Sequence, residues 1–292
     1  MKKILTAIFI SFCLFNAGAL GREKSAFTSG SETTSSKSAV NTRRYNQYIW
    51  KGVRGMYYHR VLAQVSIPKN PRGTVVIICP GGSYHHLDIL NEGIPTQKWF
   101  NKQEATAIIL RYRTANRGYH SPAMMEDLSR MVELVRESPE NYGATAETLK
   151  LGLIGYSAGG HLVTWGGANL QPDFVIPVYP VVTMEEDIGH RWSRKSLIGN
   201  NPSDQKCREF SMEKQIPKNM PPTYLVACHD DPVVIYENSE RLARALEAAG
   251  SDFTFTDYPW GGHGFGMKKC KFLRTFKWNE KLLEWLKERN FL

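Results

Sequence analysis

A chain of 292 residues, 42% hydrophobic and 11% aromatic, can bury one full globular core. Its charged share of 22% is that of a soluble folded protein, which excludes a chain too polar to fold. The formal net charge of +9 is scattered in short clusters such as Arg43-Arg44, Arg191 to Lys195 and Lys268 to Lys271. That pattern reads as a solvated surface and gives no nucleic-acid partner, while attraction to an acidic polysaccharide or cell envelope stays open.

Met1 to Ala19 reads as a secretory signal peptide, with basic Lys2 and Lys3, an apolar run from Ile4 to Phe15, and the cleavage pattern Ala17-Gly18-Ala19. The apolar run is too short to span a bilayer, so no stable membrane insertion is expected after cleavage. The expected location is secreted or periplasmic, an oxidising compartment. Cys79 and Cys228 end apolar strands and read as core residues. A Cys207–Cys270 bridge stays open, because sequence does not fix connectivity. Residues 20–44 are Ser-, Thr-, Lys- and Gly-rich and read as a flexible leader. Residues 45–292 read as one domain, with Tyr48, Ile49 and Trp50 its first core contacts.

Along that domain, Tyr57 to Ile67 alternates as a strand, and Thr74 to Cys79 is a β-branched run suited to a buried central strand. Pro80-Gly-Gly-Ser-Tyr84 follows at its carboxyl end. A helix is expected over 93–103 and a strand over 105–111. A long helix should then run from a Ser121 cap and Pro122 to Glu137, with Met124, Leu128, Met131 and Leu134 at helical spacing. Leu151 to Ile154 is a strand, Gly155-Tyr-Ser-Ala-Gly159 a sharp turn, and Ala158 to Ala168 a helix of small and apolar residues. Phe174 to Val182 is a strand. Met184 to Pro222 reads as a long irregular insertion and a lid candidate. A strand over 221–228, a helix from Val234 to Gly250, a strand from Phe253 to Tyr258 and a helix from Phe272 to Arg289 complete the pattern. The alternation predicts an α/β fold with a mostly parallel central sheet and helices on both faces.

Chemistry-bearing residues gather where strands end. Strand, G-x-S-x-G turn and helix make Ser157 a nucleophile candidate, with the Ala158 N–H facing an oxyanion formed there. Gly82 and Ser83 can supply further N–H donors to that hole. A serine hydroxyl needs a base held by an acid. Among eight histidines, His263, in the Gly-rich loop after the last strand, is best placed, with His86 and His190 as alternatives. Asp230 and Asp231 compete for the acid, with Asp257 a distant third, and the order Ser, Asp, His suits this fold. Tyr84, His86, Tyr179 and Trp260 adjoin the motifs and are expected to line a substrate pocket. No metal site is expected: His85-His86-x-Asp88 has no matching ligands elsewhere. No cofactor is called for, and the sequence leaves the oligomeric state open.

The segments Cys79-Pro-Gly-Gly-Ser-Tyr84, Gly155-Tyr-Ser-Ala-Gly-Gly-His-Leu162, Leu197-Ile-Gly-Asn-Asn-Pro-Ser203, Asp230-Asp-Pro-Val-Val234 and Gly262-His-Gly-Phe-Gly266 carry a resemblance. The chain resembles the α/β-hydrolase superfamily, and within it bacterial acetylxylan-esterase-like and BD-FAE-like serine esterases, over residues 48–290. The resemblance implies that Asp231 is the acid, as the first residue of a D-x-x-V-P pattern in which Ile235 replaces the usual proline. Pro80 and Ser83 stand where lipases of the hormone-sensitive branch have histidine and glycine, which sets the chain apart from that branch. The implied activity is hydrolysis of short acyl esters, acetyl above all, on polysaccharide or oligosaccharide. Two other readings stay open: a prolyl-oligopeptidase-type serine peptidase, and a non-catalytic carbohydrate-binding protein on the same fold.

Overall fold

The computed structural model describes residues 42–54 and 61–292. The expected signal peptide, most of the leader, residues 57–60 of the first expected strand, and His59 lie outside the described residues. The sheet begins earlier than the sequence suggested, at β1 (Arg43–Tyr48). It pairs antiparallel with β2 (Leu62–Ile67), which pairs antiparallel with β4 (Thr106–Arg111). The other strands, β3 (Thr74–Cys79), β5 (Lys150–Tyr156), β6 (Phe174–Val178), β7 (Thr223–Cys228) and β8 (Phe253–Tyr258), run parallel. The eight-stranded order is β1-β2-β4-β3-β5-β6-β7-β8.

Period-two alternation splits the core. Val75, Ile77 and Cys79 of β3 enter one apolar layer, with α2 (Ala123–Glu137), α3 (Ala158–Leu170) and α6 (Glu237–Ala248). Val76 and Ile78 enter the other, with α1 (Ile94–Lys102), α7 (Lys271–Phe276) and α8 (Trp278–Glu288). Every residue of β3 is buried, because helices cover both faces of the central strands.

Several expectations need correction. Ser121 does not cap α2: Pro122 takes the N-cap position with no side-chain bond. β6 ends at Val178 because Tyr179 adopts φ +38°, outside the β region. The insertion is not irregular. It folds as α4 (Arg191–Ile198), α5 (Asp204–Glu209) and a 3₁₀ turn (Met212–Lys214). It docks through the Ser121 N–H on the Leu197 carbonyl and His120 Nδ1 on that of Ser196. Two helices, α7 and α8, replace the last predicted one, broken where Lys277 takes φ +49°. Cys79, Cys207, Cys228 and Cys270 are all free thiols, so no Cys207–Cys270 bridge forms.

Candidate active site

Ser157 sits between β5 and α3 with φ 54° and ψ −118°, a strained conformation for a residue bearing a Cβ. The turn fits only because its neighbours lack side chains. A Cβ on Gly155 would come within 2.0 Å of the Gly159 carbonyl oxygen, and one on Gly159 within 2.0 Å of that of Cys79. The Ser157 N–H donates to the Val178 carbonyl, and its own carbonyl accepts from His161 and Val181.

Three elements converge on this serine. His263, in the loop after β8, has Nε2 2.9 Å from Ser157 Oγ and Nδ1 2.7 Å from Asp231 Oδ2. A carboxylate oxygen accepts, so Nδ1 carries the proton and Nε2 is left to accept from the serine hydroxyl. Asp231 is buried, and its Oδ1 accepts the N–H groups of Val233 and Val234. Asp230 instead accepts the Gly262 N–H at 2.8 Å and so fastens the histidine loop. Asp257 is engaged elsewhere, by His229 Nε2 and the Tyr236 hydroxyl.

The Pro80-Gly-Gly-Ser loop packs beside the serine: a Cβ on Gly81 would lie 3.0 Å from that of Ser157. Gly82, Ser83 and Tyr84 have φ of +122°, +56° and +57°, and the Gly82 carbonyl accepts from both His85 and His86. The backbone N–H groups of Gly82, Ser83 and Ala158 have no acceptor among the described residues. Such a set of free donors can stabilise a developing oxyanion.

Glu92, which carries no motif signal, is buried directly behind this loop. Its Oε2 accepts the Gly81 N–H at 2.6 Å, and its Oε1 accepts the Tyr179 hydroxyl at 2.8 Å. Burial raises its pKa to about 7 against the opposing pull of those two donors.

Tyr84 and Tyr179 are buried and do not line a pocket. His161 Nε2 faces the Phe210 carbonyl at 2.7 Å and must donate to it, so Nδ1 accepts the Tyr84 hydroxyl at 2.7 Å. Burial holds the His161 pKa down at about 4, which keeps the ring neutral and fixes Tyr84 as scaffold. The Tyr179 ring backs His263 at 4.7 Å between centroids. Trp260 packs on Phe276 and under Lys271, against α7. His86 is exposed and faces a separate hollow with Tyr48, Arg111 and Thr114. His85 instead lines a cavity of about 800 Å³, together with His120, His190, Trp192 and Ser196. His190 is bonded to Ser193 Oγ, and its pKa is lowered, first by burial and then by repulsion from His263. Asp88 caps the turn at Asn91, and among the described residues no three His, Cys, Asp or Glu side chains group as metal ligands.

A mostly parallel sheet in this strand order, with a serine at the turn after β5 and histidine and acid loops from later strands, is the α/β-hydrolase fold. The chain belongs to the prolyl oligopeptidase family, whose model matches residues 123–290, more than half of its length. The BD-FAE model matches residues 64–175. An acetylxylan esterase of Xylanibacter ruminicola is 30% identical over 233 residues, covering 76% of this chain and 47% of that protein. An endo-1,4-beta-xylanase B of Butyrivibrio fibrisolvens is 29% identical over 227 residues, covering 72% of this chain and 35% of that protein. The chain thus spans about half or less of these curated relatives. Among solved structures, an acetyl ester-xyloside bifunctional hydrolase of Caldicellulosiruptor lactoaceticus superposes with TM-score 0.76 at 25% identity, over 85% of this chain and 97% of that one.

Proposed function

We propose that the protein is an exported serine esterase that removes short acyl groups, acetyl first among them, from polysaccharide or oligosaccharide. The observation that carries this reading is the continuous contact Ser157–His263–Asp231 beside free N–H donors. Ser157 Oγ attacks the ester carbonyl carbon while His263 Nε2 takes the hydroxyl proton. Asp231 holds the imidazolium that results, and the N–H groups of Gly82, Ser83 and Ala158 receive the oxyanion. Collapse breaks the bond to the sugar oxygen, which leaves with the proton from His263, and Ser157 remains acylated. Water, deprotonated by His263, attacks the acyl-enzyme and releases the carboxylic acid and free Ser157.

The acyl preference is supported by the acetylxylan esterase and acetyl ester-xyloside hydrolase among the similar proteins. Export rests on the N-terminal sequence. The test is acetate release from p-nitrophenyl acetate and from acetylated xylan by the wild type and by Ser157→Ala. The proposal expects release from both substrates by the wild type alone. Release from neither substrate by folded wild type would sink it. The family match favours one second reading, a peptidase. Cleavage of prolyl peptides without acyl-ester hydrolysis would select that reading.

A further inference from the structure

The cavity lined by His85, His190 and helix α4 is far larger than an acetyl group needs. Its volume of about 800 Å³ lies in the range that encloses a ligand of several rings. One wall belongs to α4. Trp192 on that helix leaves 54% of its surface exposed, and its ring meets His85 edge-on at 5.4 Å. A large apolar ring kept in solvent in the wall of this cleft offers a stacking surface for the C–H face of a sugar.

Arg191 and Lys195, one turn apart on α4, also line the cleft, and its lining contains no carboxylate. The acids next to α4 are already committed. Glu185 pairs with Lys214 and Arg241, Glu186 with Arg194, and Asp187 with Arg241. Arg191 and Lys195 have no ion-pair partner among the described residues. A cleft with two uncommitted cations and no anion in its lining is electrostatically complementary to a negatively charged ligand. The cleft also adjoins the reacting groups. His190 in its wall feels the charges of His263 and Asp231, and the His85 N–H bonds to the Gly82 carbonyl.

We propose that this cleft is a subsite for an acidic sugar unit. A uronic-acid residue next to the acylated sugar stacks on Trp192 and sets its carboxylate between Arg191 and Lys195. The inference rests on the esterase reading and gives that site a preference for acidic over neutral acylated oligosaccharides.

The experiment compares kcat/KM on acetylated xylo-oligosaccharides with and without a uronic-acid substituent. The acidic substrate should be preferred roughly 3- to 10-fold at low ionic strength, the scale of two exposed charge pairs, and the preference should shrink in high salt. In Arg191→Gln/Lys195→Gln the ratio should fall to about one. A wild-type ratio of about one, or an unchanged ratio in the double variant, overturns the subsite. Hydrolysis of p-nitrophenyl acetate separates the two failures: a wild type that cleaves it without acid preference loses the subsite and keeps the esterase. Titration of Ser157→Ala with the unacetylated acidic and neutral oligosaccharides reads the subsite without catalysis. Tighter binding of the acidic one supports it, and equal binding overturns it.

Discussion

The Glu92 carboxylate accepts the Tyr179 hydroxyl at 2.8 Å, and the same tyrosine ring stands 4.7 Å from the imidazole of His263. Through its second oxygen Glu92 also holds Gly81, so one buried acid braces both the histidine's backing and the loop beside Ser157. Burial raises its pKa from 4.5 to about 7. The unfolded chain therefore loses its proton first as pH rises. The stability that the protonated form retains is whole below about 4.5 and is lost as pH climbs through about 7. His161 acts in the opposite sense, since its pKa is lowered from 6.5 to about 4 and stability falls as pH drops through that window. Comparing the wild type with Glu92→Gln cancels the His161 contribution. Between pH 5 and pH 8 the variant should gain on the wild type by up to about 3 kcal/mol in urea unfolding. Identical pH dependence in the two proteins would contradict this account of Glu92.

The two neighbouring aspartates should differ sharply on substitution. Asp231→Asn removes the carboxylate that fixes the His263 tautomer and should cost about 10⁴-fold in kcat. Asp230→Asn leaves that contact in place and keeps an oxygen for the Gly262 N–H, so its loss should stay within about tenfold. Steady-state kinetics on p-nitrophenyl acetate measures both. Equal losses would mean that Asp231 is not the acid that holds His263.

At the elbow, Gly155→Ala and Gly159→Ala each drive a Cβ to 2.0 Å from a backbone carbonyl oxygen that cannot swing away. Either change should cost more than about 3 kcal/mol, the upper end of ordinary overpacking. Gly250→Ala, whose Cβ would meet nothing within 4 Å, carries only the strain of φ +68° and should cost about 1 kcal/mol. Urea midpoints for the three variants would show the order.

Away from the site, Asp127 accepts from Trp50 Nε1 at 2.7 Å and from the Arg113 backbone N–H at 2.8 Å, and pairs with the Arg113 guanidinium. Both side chains are buried, and Asp127→Ala removes the carboxylate that Trp50 and Arg113 share while Arg113 keeps Glu126, so the fold should lose about 3 kcal/mol in urea unfolding. Arg113→Met/Asp127→Leu removes both charges and should lose less than Asp127→Ala alone.

What the sequence made legible follows from how local each signal is. The continuous β-branched run of β3 and the G-x-S-x-G turn are set by near neighbours, so the strand bounds and the serine's place in the elbow agree with the structure. β1 was invisible because Arg43-Arg-Tyr-Asn-Gln-Tyr48 is an edge strand with mostly exposed polar side chains. Which histidine enters the cleft is set by the shape of the loop after β3, where His85 lines the cavity and His86 is exposed. Adjacency to a motif misleads for Tyr84 and Tyr179, which are buried with their rings spent on His161 and His263. Glu92 offers no signal, since its two partners, the Gly81 N–H and the Tyr179 hydroxyl, follow strands β3 and β6, far from it in sequence or on another element.

The most direct measurement is covalent labelling with an organophosphonate, located by mass spectrometry. One adduct, on Ser157, is expected in the wild type and its loss in His263→Ala, because only a serine deprotonated by that base is nucleophilic enough to react. No adduct on folded wild type, or equal labelling in His263→Ala, would contradict this pairing of Ser157 and His263.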